Sequence, residues 1–164
     1  MLAALEALKA GKPIVVTDDE SRENEGDLIL AGQCATAENI GFIVRHSSGV
    51  ICVSMSDERC EELQLPPMVI NNEDPKQTAF TVSVDLKEGT STGISASDRA
   101  ATFRALADPK MGPEKFNRPG HVFPLRAKDG GVLTRDGHTE ASLDLCRIAG
   151  LQPAGVLCEV HATR

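Results

Sequence analysis

Pro13-Ile14-Val15-Val16-Thr17 runs into Asp18-Asp19-Glu20-Ser21-Arg22-Glu23-Asn24-Glu25-Gly26-Asp27 and then into Leu28-Ile29-Leu30-Ala31. The middle ten residues hold six carboxylates and one arginine. Taken alone, a run of like charge reads as a solvated face. Its flanks change the reading, because both apolar runs have the composition of buried strands. A loop anchored at both ends by core strands holds its carboxylates in place, and fixed carboxylates bind a hard divalent cation through oxygen. Arg22 in the same loop suits an anionic ligand.

The rest of the composition narrows the class. A chain of 164 residues, 41% hydrophobic and 25% charged, is the size and make-up of one folded domain. Five Phe with no Trp or Tyr supply little for base stacking, and a net charge of -7 repels a phosphate backbone, so nucleic acid is not an expected partner. Cysteines stand at 34, 52, 60, 146 and 158 without a C-x-x-C pair, the pattern of reduced thiols rather than a disulfide frame. Met1 to Lys12 is amphipathic, with Leu2, Leu5 and Leu8 on one face, and is too short and too charged for a signal peptide or membrane span. The expected location is cytoplasmic, away from the membrane.

Outward from the acidic loop, a first helix ends near Gly11, before Pro13, and strands cover 14–17 and 28–33. Thr36 caps a helix to about His46, Val50 to Met55 is a strand, and Ser56 starts a short helix that ends by Pro66-Pro67. Residues 66–78 form a polar loop of the length that is functional or mobile. Phe80, Val82 and Val84 alternate with Thr81, Ser83 and Asp85, which predicts a strand buried on the first face and wetter on the second. Ser97 and Asp98 open a helix to about Asp108, and 109–120 is a second long loop. Residues 121–126 and 131–134 read as strands joined by a hairpin at Asp129-Gly130. A helix then runs to Gly150, and Gly155 to Val160 is the last strand. Alternating strands and helices with hairpins predict an α+β (mixed α/β) fold, a single domain over 1–164 with a mixed sheet and helices packed on its faces.

Besides the acidic loop, four places can carry chemistry. At Arg135-Asp136-Gly137-His138-Thr139 a helix start would point the amides of Gly137, His138 and Thr139 at an anion, with Arg135 and the Thr139 hydroxyl beside them. A plain helix terminus fits the segment equally well, and His138 at such a mouth is a candidate metal ligand. His121 follows Arg118-Pro119-Gly120, so it reads either as a structural residue at a strand start or as an acid-base group aimed by a stiff turn. Cys52 reads as a core thiol. Glu159 interrupts Val156-Leu157-Cys158-Glu159-Val160 and faces either water or a site. His46 reads as a helix cap and His161 as a tail residue without a role.

Three of these segments, Asp18-Asp19-Glu20-x-Arg22-Glu23-Asn24-Glu25-Gly26-Asp27, Arg118-Pro119-Gly120-His121-Val122-Phe123-Pro124-Leu125 and Thr134-Arg135-x-Gly137-His138-Thr139-Glu140-Ala141, closely resemble the motifs of the 3,4-dihydroxy-2-butanone 4-phosphate synthase family, in the same order. The resemblance implies conversion of ribulose 5-phosphate to 3,4-dihydroxy-2-butanone 4-phosphate and formate in riboflavin biosynthesis, with Mg2+ or Mn2+ and a homodimer. It implies Glu23 and His138 as metal ligands. Arg22, Glu23, Asp27, Arg135, Gly137, His138, Thr139 and Glu159 would meet the substrate. His121 and Glu159 take the positions essential for catalysis; Asp27 and Cys52, which lines the pocket, are counted with them, and Glu25 joins them in proton transfer or supports the metal shell. Asp18, Asp19 and Glu20 read as loop-shaping, solvated charge. Family members continue past the strand that contains the matching glutamate, whereas this sequence stops five residues after Glu159, so the domain looks shortened at its C-terminus. The alternatives are a related metal-dependent sugar-phosphate isomerase or aldolase, and a truncated, non-catalytic fragment that still binds sugar phosphate.

Overall fold

A computed structural model describes residues 1–160 of the chain; the expectation about His161 falls outside them. Six strands form one mixed sheet in the order β1 (Ile14–Thr17), β2 (Gly26–Ala31), β6 (Ala154–Val160), β3 (Cys52–Met55), β5 (Phe116–Arg126), β4 (Val84–Leu86). Only β3 and β5 run parallel; the other pairs are antiparallel. On one face lie α2 (Ala37–His46), α3 (Asp57–Glu62) and α4 (Ala96–Ala107), packed on Leu28, Leu30, Val53, Val156 and Val122. The other face carries a smaller cluster of Ile29, Cys52, Leu125 and Leu157, covered by Leu8 of α1 (Leu2–Lys9) and Leu145 of α5 (His138–Ile148). This is the expected single domain with helices on both faces of a mixed sheet.

The helix boundaries follow their caps. Thr36 accepts from the Asn39 amide at 3.2 Å while the Asn39 side chain accepts from the Thr36 amide at 2.7 Å, a reciprocal box that starts α2 where the sequence places it. The Ser56 hydroxyl caps α3 by accepting from the Arg59 amide at 3.2 Å. For α4 the cap is Ser95, whose hydroxyl accepts from the Asp98 amide, so Ser97 and Asp98 already belong to the first turn.

Four strand expectations are corrected. The second strand is Gly26–Ala31, which takes Asp27 out of the loop and into the ladder opposite Glu159. The alternation at 80–85 fails: Thr81 and Asp85 are buried while Phe80 and Val82 are half-buried, and only Val84–Leu86 is strand. Thr81 is drawn inward because its amide and hydroxyl both donate to the Pro124 carbonyl. Residues 131–133 form a 3-10 turn instead of the second arm of a hairpin, since Gly130 and Gly131 both take positive φ and Asp144 accepts the Val132 amide. The first strand, too, is an edge: Val15 is exposed and only Ile14 and Val16 pack inward. All five cysteines are free thiols, and no helix among the described residues is long and apolar enough to cross a membrane.

Candidate active site

The acidic loop is organised by one of its own carboxylates. Asp18 Oδ1 accepts the Glu25 amide at 3.0 Å, and Asp18 Oδ2 accepts the Glu23 amide at 3.2 Å and Arg22 Nη1 at 2.8 Å. Burial alone would raise this carboxyl, but those donors outweigh it and hold Asp18 below the usual carboxylate range. With Asp18 as a clip, the loop turns back on itself and presents Arg22 and Glu23 to one side. The loop-shaping role read for Asp18 is therefore present, and a second property comes with it. One ligand atom each from Asp18, Glu23 and His138 lie within 4.8 Å of one another.

The end of the sheet supplies the floor. Asp27 on β2 stands opposite Glu159 on β6, and Leu157 stands opposite both Ile29 and Cys52. Asp27 is 3% exposed, and burial, then the charges of Glu159, Glu23, Glu25 and Asp18, push its carboxyl up to about 7. Cys52 lies beneath, where burial pushes its thiol up, away from the thiolate.

The start of α5 forms the opposite wall. No side chain caps this helix, so its first amides are left for something else. The N-cap is Gly137, where a Cβ would fall 2.1 Å from Arg135 Nη1 and 3.0 Å from Arg22 Nη2. Two guanidinium groups from distant parts of the chain thus converge on the positive end of a helix, an arrangement that attracts an anion. Arg135 is fixed from behind by Glu140, which takes Nη1 at 2.6 Å and the Lys128 amide at 2.9 Å. The Ser54 and Ser142 hydroxyls, 2.6 Å apart, tie α5 to β3.

These parts enclose a cavity of about 290 Å³. It gathers Arg22, Glu23, Asp27, Cys52, Arg135, His138, Thr139 and Glu159 from the sequence candidates, with Gly137 at its edge. Glu25 and His121 are not among its lining residues. Glu25 closes the loop through its backbone, its carbonyl accepting the Asp18 amide. His121 is held on the edge-strand side by Asp85 of β4, its Nδ1 2.7 Å from Asp85 Oδ2. Sequence reasoning missed Asp74, Lys76, Thr78 and Phe80, which line the cavity from the loop at 66–78 and the segment after it. Lys76 donates to the Arg22 carbonyl at 3.1 Å, and Arg135 reaches the Lys76 carbonyl through Nε and Nη2. Lys76 carried no spacing signal; its only mark is a single cation in a polar stretch.

The donor set suits a divalent cation. Oxygen from carboxylates and one imidazole nitrogen are ligands for such an ion. Asp27 Oδ1, 3.4 Å from His138 Nδ1, and His138 Nε2 are buried without a hydrogen bond among the described residues, so the site has unmet binding capacity.

Known proteins resemble the chain along nearly all of its length. A 3,4-dihydroxy-2-butanone 4-phosphate synthase of Schizosaccharomyces pombe is 57% identical over 165 residues, 98% of this chain and 81% of that protein. The riboflavin biosynthesis protein RibBA of Salinispora arenicola is 59% identical over 157 residues, and the chain spans only 37% of its length. A crystal structure of 3,4-dihydroxy-2-butanone 4-phosphate synthase in complex with two magnesium ions superposes with a TM-score of 0.95 at 54% identity, covering 97% of this chain and 74% of that one. A crystal structure of a 3,4-dihydroxy-2-butanone 4-phosphate synthase in a cation-free form superposes with a TM-score of 0.91 at 52% identity. With residues 2–164 also matching the family model, the chain belongs to the 3,4-dihydroxy-2-butanone 4-phosphate synthase family.

Proposed function

We propose that the chain converts ribulose 5-phosphate to 3,4-dihydroxy-2-butanone 4-phosphate and formate, as a homodimer that uses Mg2+, with Mn2+ as a substitute. The observation that carries this reading is the convergence of an anion site and a carboxylate–imidazole cluster on one cavity. Arg22, Arg135, Thr139 and the free amides of α5 hold the phosphate. Binding energy at that remote group orients the reacting carbons. Glu23 and His138, with Asp18 alongside, would hold the divalent cation, which when bound supplies positive charge against the developing enediolate.

Proton transfer falls to the carboxylates on the floor. Asp27, whose carboxyl titrates near neutrality, and Glu159 opposite it are placed to take a proton beside the substrate carbonyl and return it later. Cys52 serves as a wall, since its thiol stays protonated. His121 is tied to the edge strand and does not line the cavity of its own copy, so in this reading it acts in the site of a second copy. Glu25 supports the loop that carries Glu23.

Carbon NMR of the products tests the reaction. A four-carbon phosphorylated ketone with formate is expected; a five-carbon isomer or an aldol fragment pair would point to a related isomerase or aldolase. Glu23→Gln is expected to lower turnover by about 10²-fold or more with the fold intact, as for loss of a group acting at the charged transition state.

A further inference from the structure

We propose that Asp85 is a positioning residue for His121, fixing which ring nitrogen carries the proton; this rests on the reading above that His121 takes part in catalysis. The geometry is specific. Asp85 Oδ1 accepts the backbone amide of His121 at 2.8 Å, and Asp85 Oδ2 lies 2.7 Å from the ring Nδ1. One carboxylate therefore grips both ends of the same residue.

The surrounding chain explains why the grip is needed. Along β4, Val84 pairs with Val122 while Asp85 pairs with Asn117, so one step on β4 spans five on β5. Arg118, Pro119, Gly120 and His121 are consequently thrown out of the ladder, and no strand partner sets the direction of the His121 ring. Ser83 holds the Gly120 amide at 3.1 Å and Asp85 holds the next one, closing the base of the bulge. Asp85 itself is buried at 7% exposure, whereas His121 is exposed. A buried anchor with an exposed working end is the arrangement of a held acid-base group.

The protonation follows from the donor inventory. An ionised carboxylate can only accept, so Nδ1 carries the hydrogen, and in the neutral ring Nε2 is the nitrogen with the lone pair that takes a proton. Asp85→Asn separates positioning from loop support. The Asn oxygen stays on the His121 backbone amide, which can only donate, and this turns the NH2 group against Nδ1. The ring is then driven to the opposite tautomer, with Nε2 protonated. The bulge keeps its anchor while the base loses its lone pair.

The test combines nitrogen NMR of the His121 ring with steady-state kinetics on the full chain with Mg2+ and ribulose 5-phosphate, for wild type, Asp85→Asn and His121→Ala. Asp85→Asn is expected to show the Nε2–H tautomer, to lose on the order of 10²–10⁴-fold in kcat, and to keep KM within about threefold, as when the carboxylate behind a catalytic histidine is changed to its amide. An unchanged Nδ1–H tautomer in Asp85→Asn would overturn the proposal whatever the activity. So would a wild-type kcat in Asp85→Asn alongside an inactive His121→Ala, which would leave Asp85 a purely structural role. Wild-type activity in His121→Ala would instead remove His121 from the reaction, and the proposal with it.

Discussion

Asp27 is a buried carboxyl that feels the charges of four other carboxylates, Glu159, Glu23, Glu25 and Asp18. It was legible in the sequence as part of an acidic loop, yet its role depends on facts that spacing cannot supply: it enters β2, pairs opposite Glu159 and is almost completely buried. Its folded carboxyl is pushed up to about 7 from an ordinary 3.8. The folded state thus binds the extra proton between those values, so the associated stability is present below about pH 4 and is lost as pH rises through 7. In protein kept free of metal by chelator, Asp27→Asn is expected to change stability little at pH 4 and to raise it by up to about 4 kcal/mol at pH 8. Denaturant titration at the two pH values measures this, and equal effects at both would contradict it. Added Mg2+ is expected to shrink the gain, because the ion's charge offsets the same repulsion.

At the level of elements, the sequence disclosed what local chemistry decides and hid what tertiary contacts decide. Thr36 and Ser56 announce their helices because the capping oxygen lies three residues from the amide it accepts. Residues 79–86 gave the wrong alternation because Thr81 is buried by bonds to Pro124 and Asp85 by bonds to His121, partners that lie 43 and 36 positions away. The loop at 66–78 was readable as a candidate functional segment, but its cation was not, since nothing local marks Lys76 as the residue that meets Arg22 and Arg135. A lysine at the rim of an anion site contributes about 1.5–3 kcal/mol through a charged hydrogen bond. Lys76→Met is therefore expected to raise KM for ribulose 5-phosphate by roughly tenfold or more with kcat within about twofold. Steady-state kinetics check it, with ribulose lacking the phosphate as the control that should not respond. A fall in kcat at constant KM would place Lys76 in the chemistry instead.

Across the whole molecule, the sheet brings together residues from 22 to 159 at one end, so motifs far apart in the chain become neighbours. Their convergence on one site was legible only through the resemblance, because residue spacing says nothing of which strand ends meet. The separation of His121 from its own cavity was not legible at all, since it depends on the bulge at Val84 and Asp85. If a second copy supplies His121, mixing inactive Glu23→Gln with inactive His121→Ala should restore activity. Random reassortment of a two-fold dimer leaves about a quarter of the sites intact. Recovery toward that level after unfolding and refolding the mixture is the expected result, and none would mean that each copy uses its own histidine.

The most direct measurement is formate release per ribulose 5-phosphate consumed, followed with Mg2+ and again with chelator. One formate for each sugar phosphate, abolished by chelator and restored by Mg2+, is the result expected of this site. Well-folded protein that releases none in the presence of Mg2+, or releases it equally with chelator, would contradict it.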